Sequence, residues 1–125
     1  MLRLILRWLK KYKSMAKGVL HLSNYEKFVH AINRKKKVRV TFDAKEKGRI
    51  VRTCIPFDFG PRARANDKSD CYHFYDLDSS EGRHNLSILP EKLNDIDVLE
   101  ETFEPGDFVK WTPKWHLERD WGRYS

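Results

Sequence analysis

Two cysteines, Cys54 and Cys71, are the only thiols in a chain of 125 residues. They form no CxxC pair, which argues against a disulfide framework or zinc knuckle and fits a reducing, cytoplasmic setting. No Gly-rich phosphate loop occurs, and no internal repeat or low-complexity tract interrupts the chain. No long apolar run is present. The leading MLRLILRWLKKYKS is broken by Arg3 and Arg7 and is followed by no small-residue cleavage site, so it reads neither as a secretory signal nor as a membrane span. Acid is scarce in the first half: residues 1–68 hold 19 Lys/Arg against 5 Asp/Glu, whereas residues 69–125 hold 6 against 13, inside a whole-chain charge of +7. Fold does not require such asymmetry, so it is a statement about partners, with polyanions first among them.

A hydrophobic content of 40% with 13% aromatics is ordinary for a globular chain, and the length fits one domain with one modest core. Leu2, Ile5, Leu9 and Tyr12 share one helical face, opposite Arg3, Arg7, Lys10 and Lys11. The pattern predicts a basic amphipathic helix, suited to a membrane surface, to a partner groove or to packing on the domain; the same stretch also lies ahead of a second start, Met15. Ser23 with Glu26 three residues on makes a capping box, and Tyr25, Phe28, Val29 and Ile32 mark one face of a helix over 23–35.

From Val38 the period shortens to two. Strands are predicted at Val38–Phe42, Ile50–Phe57, Cys71–Leu77, Arg83–Leu89 and Ile96–Phe103, with Pro56 and Asp58-Phe59-Gly60-Pro61 closing the second. Gly60–Ser69 reads as an exposed loop, and Pro90 opens one helical turn. The tail from 105 onward is Trp-rich and aperiodic, and reads as packing on the domain. The fold class is therefore α+β and mostly β: short N-terminal helices, then five strands in a strongly bent antiparallel sheet or small β-barrel. Residues 1–22, 23–104 and 105–125 divide the chain into leading helix, helix-plus-barrel and tail.

Candidate ligand residues follow from charge and from strand faces. Lys35, Lys36, Lys37 and Arg39 are the densest basic cluster, placed to meet phosphates or to satisfy a helix C-terminus. Arg62 and Arg64 stand among small residues in the long loop. Tyr72 and Phe74 share one face of the third strand, while His73 and Tyr75 share the other; aromatics on an exposed face would stack bases. His73, His84 and Cys71 lack the spacing of a metal site, and no motif surrounds either cysteine, so no metal, cofactor or catalytic set is expected.

The cassette AINRKKKVRVTFDA, Arg52-x-x-x-Pro56, CYHFYDLD, Gly82-Arg83 and LSILPEKLNDIDVLEETF resembles the WYL domain, an Sm-like small β-barrel of bacterial regulators and phage-defence systems. The resemblance covers about residues 28–104. Cys71-Tyr72-His73 stands at the Trp-Tyr-Leu triplet and keeps its tyrosine, and Lys92-Leu93 stands where the family has Arg-Ile. The resemblance implies a non-enzymatic ligand-sensing or nucleic-acid-binding module, standing alone without the family's winged helix-turn-helix, with a basic pocket lined by Arg52, Tyr72, Arg83 and Lys92. Single-stranded nucleic acid or a nucleotide is the expected partner. The alternative is a protein–protein adaptor, or a homodimer, joined through the leading helix and the Trp-rich tail.

Overall fold

A computed structural model describes residues 22–63 and 66–125. The amphipathic stretch at residues 1–14 and the loop residue Arg64 lie outside the described residues. Among those described there is one α-helix, α1 (Asn24–Arg34), followed by β1 (Lys36–Ala44), β2 (Gly48–Pro61), β3 (Asp70–Asp76), β4 (Asn85–Ile88) and β5 (Leu93–Thr102). Short 3-10 turns cover Pro90–Lys92, Pro105–Asp107 and Gly122–Tyr124.

The capping box forms as the sequence requires: Ser23 Oγ accepts from the Glu26 N–H, and the Glu26 carboxylate accepts from the Ser23 N–H. Such a cap contributes about 1 kcal/mol. Lys35 ends the helix in the left-handed region (φ 54°), and its N–H closes the last turn on Ala31 and Ile32. Phe28, Ala31 and Ile32 point into the sheet and are buried.

All strand pairs are antiparallel, in the order β4-β3-β2-β1-β5. The sheet is open, so the barrel expectation is corrected: β4 and β5 remain edges. Yet these two edges are consecutive in sequence, joined only through the Pro90–Lys92 turn. Five extended Cα steps reach about 17 Å at most, whereas five flat strands measure about 19 Å edge to edge. The sheet must therefore curl around α1. Val38, Val40, Phe42, Cys54, Phe74 and Ile96 line its inner face. The N-terminus of α1 covers part of β5, where Asn24 Oδ1 accepts from the Ile96 N–H (3.1 Å) and Lys27 Nζ meets Asp95 Oδ1 (3.1 Å).

β2 runs through Pro56 to Pro61, past the end expected at Phe57. The reason is alternation. Thr53 turns its N–H and C=O toward the β3 side, where Asp78 and Leu77 take them. Pro56, three residues on, faces the β1 side, and β1 pairing with β2 has already ended at Val38–Cys54. The N–H that proline lacks is not needed there. A bulge between Pro56 and Asp58 then shifts the register, pairing Asp58 with His73.

The tail folds back over this bulge. Asp58 accepts from the backbone N–H groups of His116 (2.9 Å) and Leu117 (3.0 Å) and from Arg119 Nη2 (3.3 Å). The Arg119 side chain is fully enclosed (0% exposed). Its Nη1 donates to the Phe57 carbonyl, and its guanidinium lies 4.0 Å from the Trp115 ring centre and 4.5 Å from that of Trp121. Trp121 Nε1 donates to the Ile32 carbonyl at 2.9 Å, tying the tail to the end of α1. Burial lowers the Arg119 pKa to about 10, and the Asp58 charge opposes that shift.

Asp58→Ala leaves an enclosed guanidinium without its counter-charge, and the expected loss is about 3–5 kcal/mol in urea unfolding. The double substitution Asp58→Ala with Arg119→Met should cost clearly less than the two single losses combined. Strict additivity would mean that the pair is not coupled.

Candidate ligand-binding surface

Folding closes much of the charge asymmetry on itself, because β5 of the acidic half lies beside β1 of the basic half. Lys36 Nζ donates to the Glu100 carbonyl (2.9 Å), and Lys37 Nζ pairs with Glu101 Oε2 (3.1 Å). Arg39 is exposed and stands opposite Asp97 in the register. Residues 1–21 hold six Lys/Arg and no Asp/Glu, and Arg64 is a seventh. Taking these seven from the chain's 25 leaves 18 in the described residues, equal to the chain's 18 Asp/Glu, all of which are described. The described body is thus neutral overall. The +7 belongs to the leading segment and Arg64.

The predicted pocket residues do not converge. Tyr72 is a core residue, 5% exposed, with its ring against Phe28 (5.0 Å) and Phe59 (4.7 Å). It offers no free face to a base, which corrects the stacking role expected of it; the inner face of β3 is claimed by α1. Burial also raises its phenol pKa. Arg52 is half-buried and its Nε stands 3.4 Å from the Asp76 carboxylate. Asp76 accepts in addition from the Asp78 N–H (2.9 Å), and Asp78 from the Thr53 N–H (2.7 Å), so both carboxylates beside Arg52 have structural partners. Lys92 is exposed on the turn before β5, and Arg62 is exposed beyond the end of β2. Among the described residues no cluster of His, Cys, Asp and Glu is placed to hold a metal ion. Both cysteines are buried, and burial raises both thiol pKa values.

What the fold does assemble is a shallow depression of about 540 Å³ at the β3–β4 tip, lined by Tyr75, Gly82, Arg83, His84 and Asn85. Gly82 turns the chain there at φ 74°, a conformation that favours glycine. The His84 ring stacks on Tyr75 at 4.5 Å with 7° between the planes. His84 Nδ1 lies 2.7 Å from the Asp76 carbonyl, which can only accept, so Nδ1 carries a proton and the neutral ring directs a lone pair from Nε2. Arg83 is exposed beside it. Of the predicted residues only Arg83 belongs to this surface. Tyr75 belongs to the outer face of β3, the alternative to that of Tyr72, and His84 enters the sequence reading only as a metal ligand, whereas Asn85 carries no signal until the turn is closed.

The chain matches no family model and no curated protein. Among the described residues no helix is long and apolar enough to cross a membrane.

The basic run has one legible electrostatic consequence. His30 is buried on α1, and burial, then Arg34, then Lys36, lower its pKa to about 4. The unfolded chain binds this proton near pH 6.5, so it holds more protons than the native chain between pH 6.5 and 4. Stability from His30 is therefore complete above pH 6.5 and is lost as pH falls toward 4. Urea midpoints measured across that window should fall for the natural chain and fall less for His30→Asn. Parallel curves would remove His30 as the cause.

Proposed function

We propose that the chain is a nucleotide- or single-stranded nucleic-acid-binding module, regulatory or defence-associated, whose ligand meets the β3–β4 tip. The observation that carries this reading is the lining of the depression: a guanidinium in no ion pair within the described residues, beside a stacked imidazole–phenol pair and a primary amide. Arg83 would hold phosphate oxygens, the edge of His84 and the Asn85 amide would meet base or sugar polar groups, and the stacked rings form a flat wall. Long-range attraction comes from residues 1–21, where the excess positive charge lies. The WYL-like organisation is part of the same proposal and rests on the order of elements from α1 to β5.

The adaptor reading keeps one anchor, Trp111, 51% exposed over Phe57, since Trp115 and Trp121 are committed to Arg119.

Binding of a single-stranded oligonucleotide, followed by fluorescence anisotropy, should weaken steeply between about 50 and 200 mM salt. Changing Arg3, Arg7, Lys10, Lys11, Lys13 and Lys17 to Gln should flatten the salt slope by up to about 4, the counterion release of six single-strand phosphate contacts. Arg83→Gln should lower affinity about tenfold at about 50 mM salt, in line with the loss of one charge-assisted contact, and should flatten the salt slope by about 0.7. Binding unaffected by Arg83→Gln would reject the site, and no binding at low salt would reject the function.

A further inference from the structure

His73 and Ser87 are cross-strand partners on the outer face of β3 and β4. Ser87 Oγ lies 2.8 Å from His73 Nδ1, and His73 Nε2 lies 2.7 Å from the Gly60 carbonyl oxygen. A carbonyl accepts and cannot donate, so Nε2 carries a proton. A neutral ring then has its lone pair on Nδ1, and the Ser87 hydroxyl must donate to it. The fold therefore fixes the tautomer: hydroxyl to imidazole, imidazole to a third group that orients it. An activated nucleophile needs this same relation.

The surroundings fit. Ser87 is exposed, so its oxygen is reachable, while His73 is half-buried and held from both sides. Asp58 is the β2 register partner of His73, but its carboxylate is taken up by the tail, so the Gly60 carbonyl is the group that orients the ring. The His116 ring packs against Gly60 so closely that a Cβ there would fall 2.4 Å from His116 Cδ2. Asn85 lies two residues earlier on the face of Ser87, about 7 Å along the strand. A carbonyl oxygen seated between the two would come within reach of the Asn85 amide, the type of donor that stabilises an oxyanion.

We infer that Ser87 and His73 form a nucleophile–base pair able to accept an acyl group from an activated ester. Ser87 Oγ attacks the carbonyl carbon as its proton passes to His73 Nδ1. The tetrahedral adduct collapses with cleavage of the ester C–O bond, and the leaving alkoxide takes that proton. Water then attacks the acyl-serine, giving its proton to Nδ1. As the acyl–oxygen bond breaks, that proton returns to Ser87 Oγ, and a carboxylic acid departs. This chemistry shares Asn85 with the depression but uses neither Arg83 nor a nucleotide, so its test is independent of nucleotide binding.

The test uses Ser87→Cys in the full chain, with iodoacetamide as probe. Cys54 and Cys71 are buried and serve as silent internal controls. A thiol held against a working base forms a thiolate–imidazolium pair and alkylates with a midpoint well below the ordinary thiol value of about 8.5. At pH 6.5 the expected rate is at least about tenfold above that of the same variant carrying His73→Gln. The natural chain incubated with p-nitrophenyl acetate should gain one acetyl group on the Ser87 peptide, and Ser87→Ala should not. An ordinary alkylation midpoint in Ser87→Cys, or no acetylation of Ser87 in the natural chain, overturns the inference. The first readout needs only the single exposed substitution, so an unstable His73→Gln does not block it.

Discussion

One buried ion pair holds the three parts of this molecule in register. The bulge after Pro56 moves Asp58 onto the outer face of the sheet, at a position enclosed by protein. A carboxylate there is tolerable only with full compensation, because the desolvation of an unpaired ion costs several kcal/mol. Two backbone N–H groups and the Arg119 guanidinium supply it, and all three come from the tail. Arg119 in turn needs the faces of Trp115 and Trp121 as its enclosure, and Trp121 anchors to the last turn of α1. Strand bulge, tail and helix end are thus consequences of one another. Two of the three tail tryptophans that would make an adaptor surface, Trp115 and Trp121, are held inside this arrangement.

The same economy governs the surface charge. The basic run after α1 and the acidic residues of β5 look like two partner-seeking patches when the chain is laid out in a line. Placed side by side by the strand order, they serve each other, through Lys36 with the Glu100 carbonyl and Lys37 with Glu101. Exposed pairs of this kind contribute little stability, but they remove the free positive field that a polyanion would meet.

Much of the fold was legible. The capping box marks the start of α1, alternation marks β1, and Pro90 marks the turn before β5, because each is a local rule satisfied by neighbouring residues. The extension of β2 was not legible, since whether Pro56 is tolerated depends on which strand lies beside it. Tyr72 was misread for a related reason: period two divides β3 into two faces but does not say which one α1 will cover. Arg119 gave no sequence signal at all, as its counter-charge is Asp58, far away in the chain. Arg83 was singled out by the resemblance to the WYL domain, as the arginine that opens the fourth strand, whereas the pairing of His84 with Tyr75 and the place of Asn85 became visible only with the closed turn.

The contact between Asn24 and Ile96 has a further meaning. An edge strand offers its unpaired N–H and C=O groups to any other extended chain, and natural sheets blunt that offer. On β5 the Ile96 N–H is already occupied by a helix side chain, and the adjoining row carries Asp95, Asp97, Glu100 and Glu101. The residues that begin α1 therefore do more than start a helix. They act as a guard against strand-to-strand aggregation, placed where an open sheet is most exposed to its own kind.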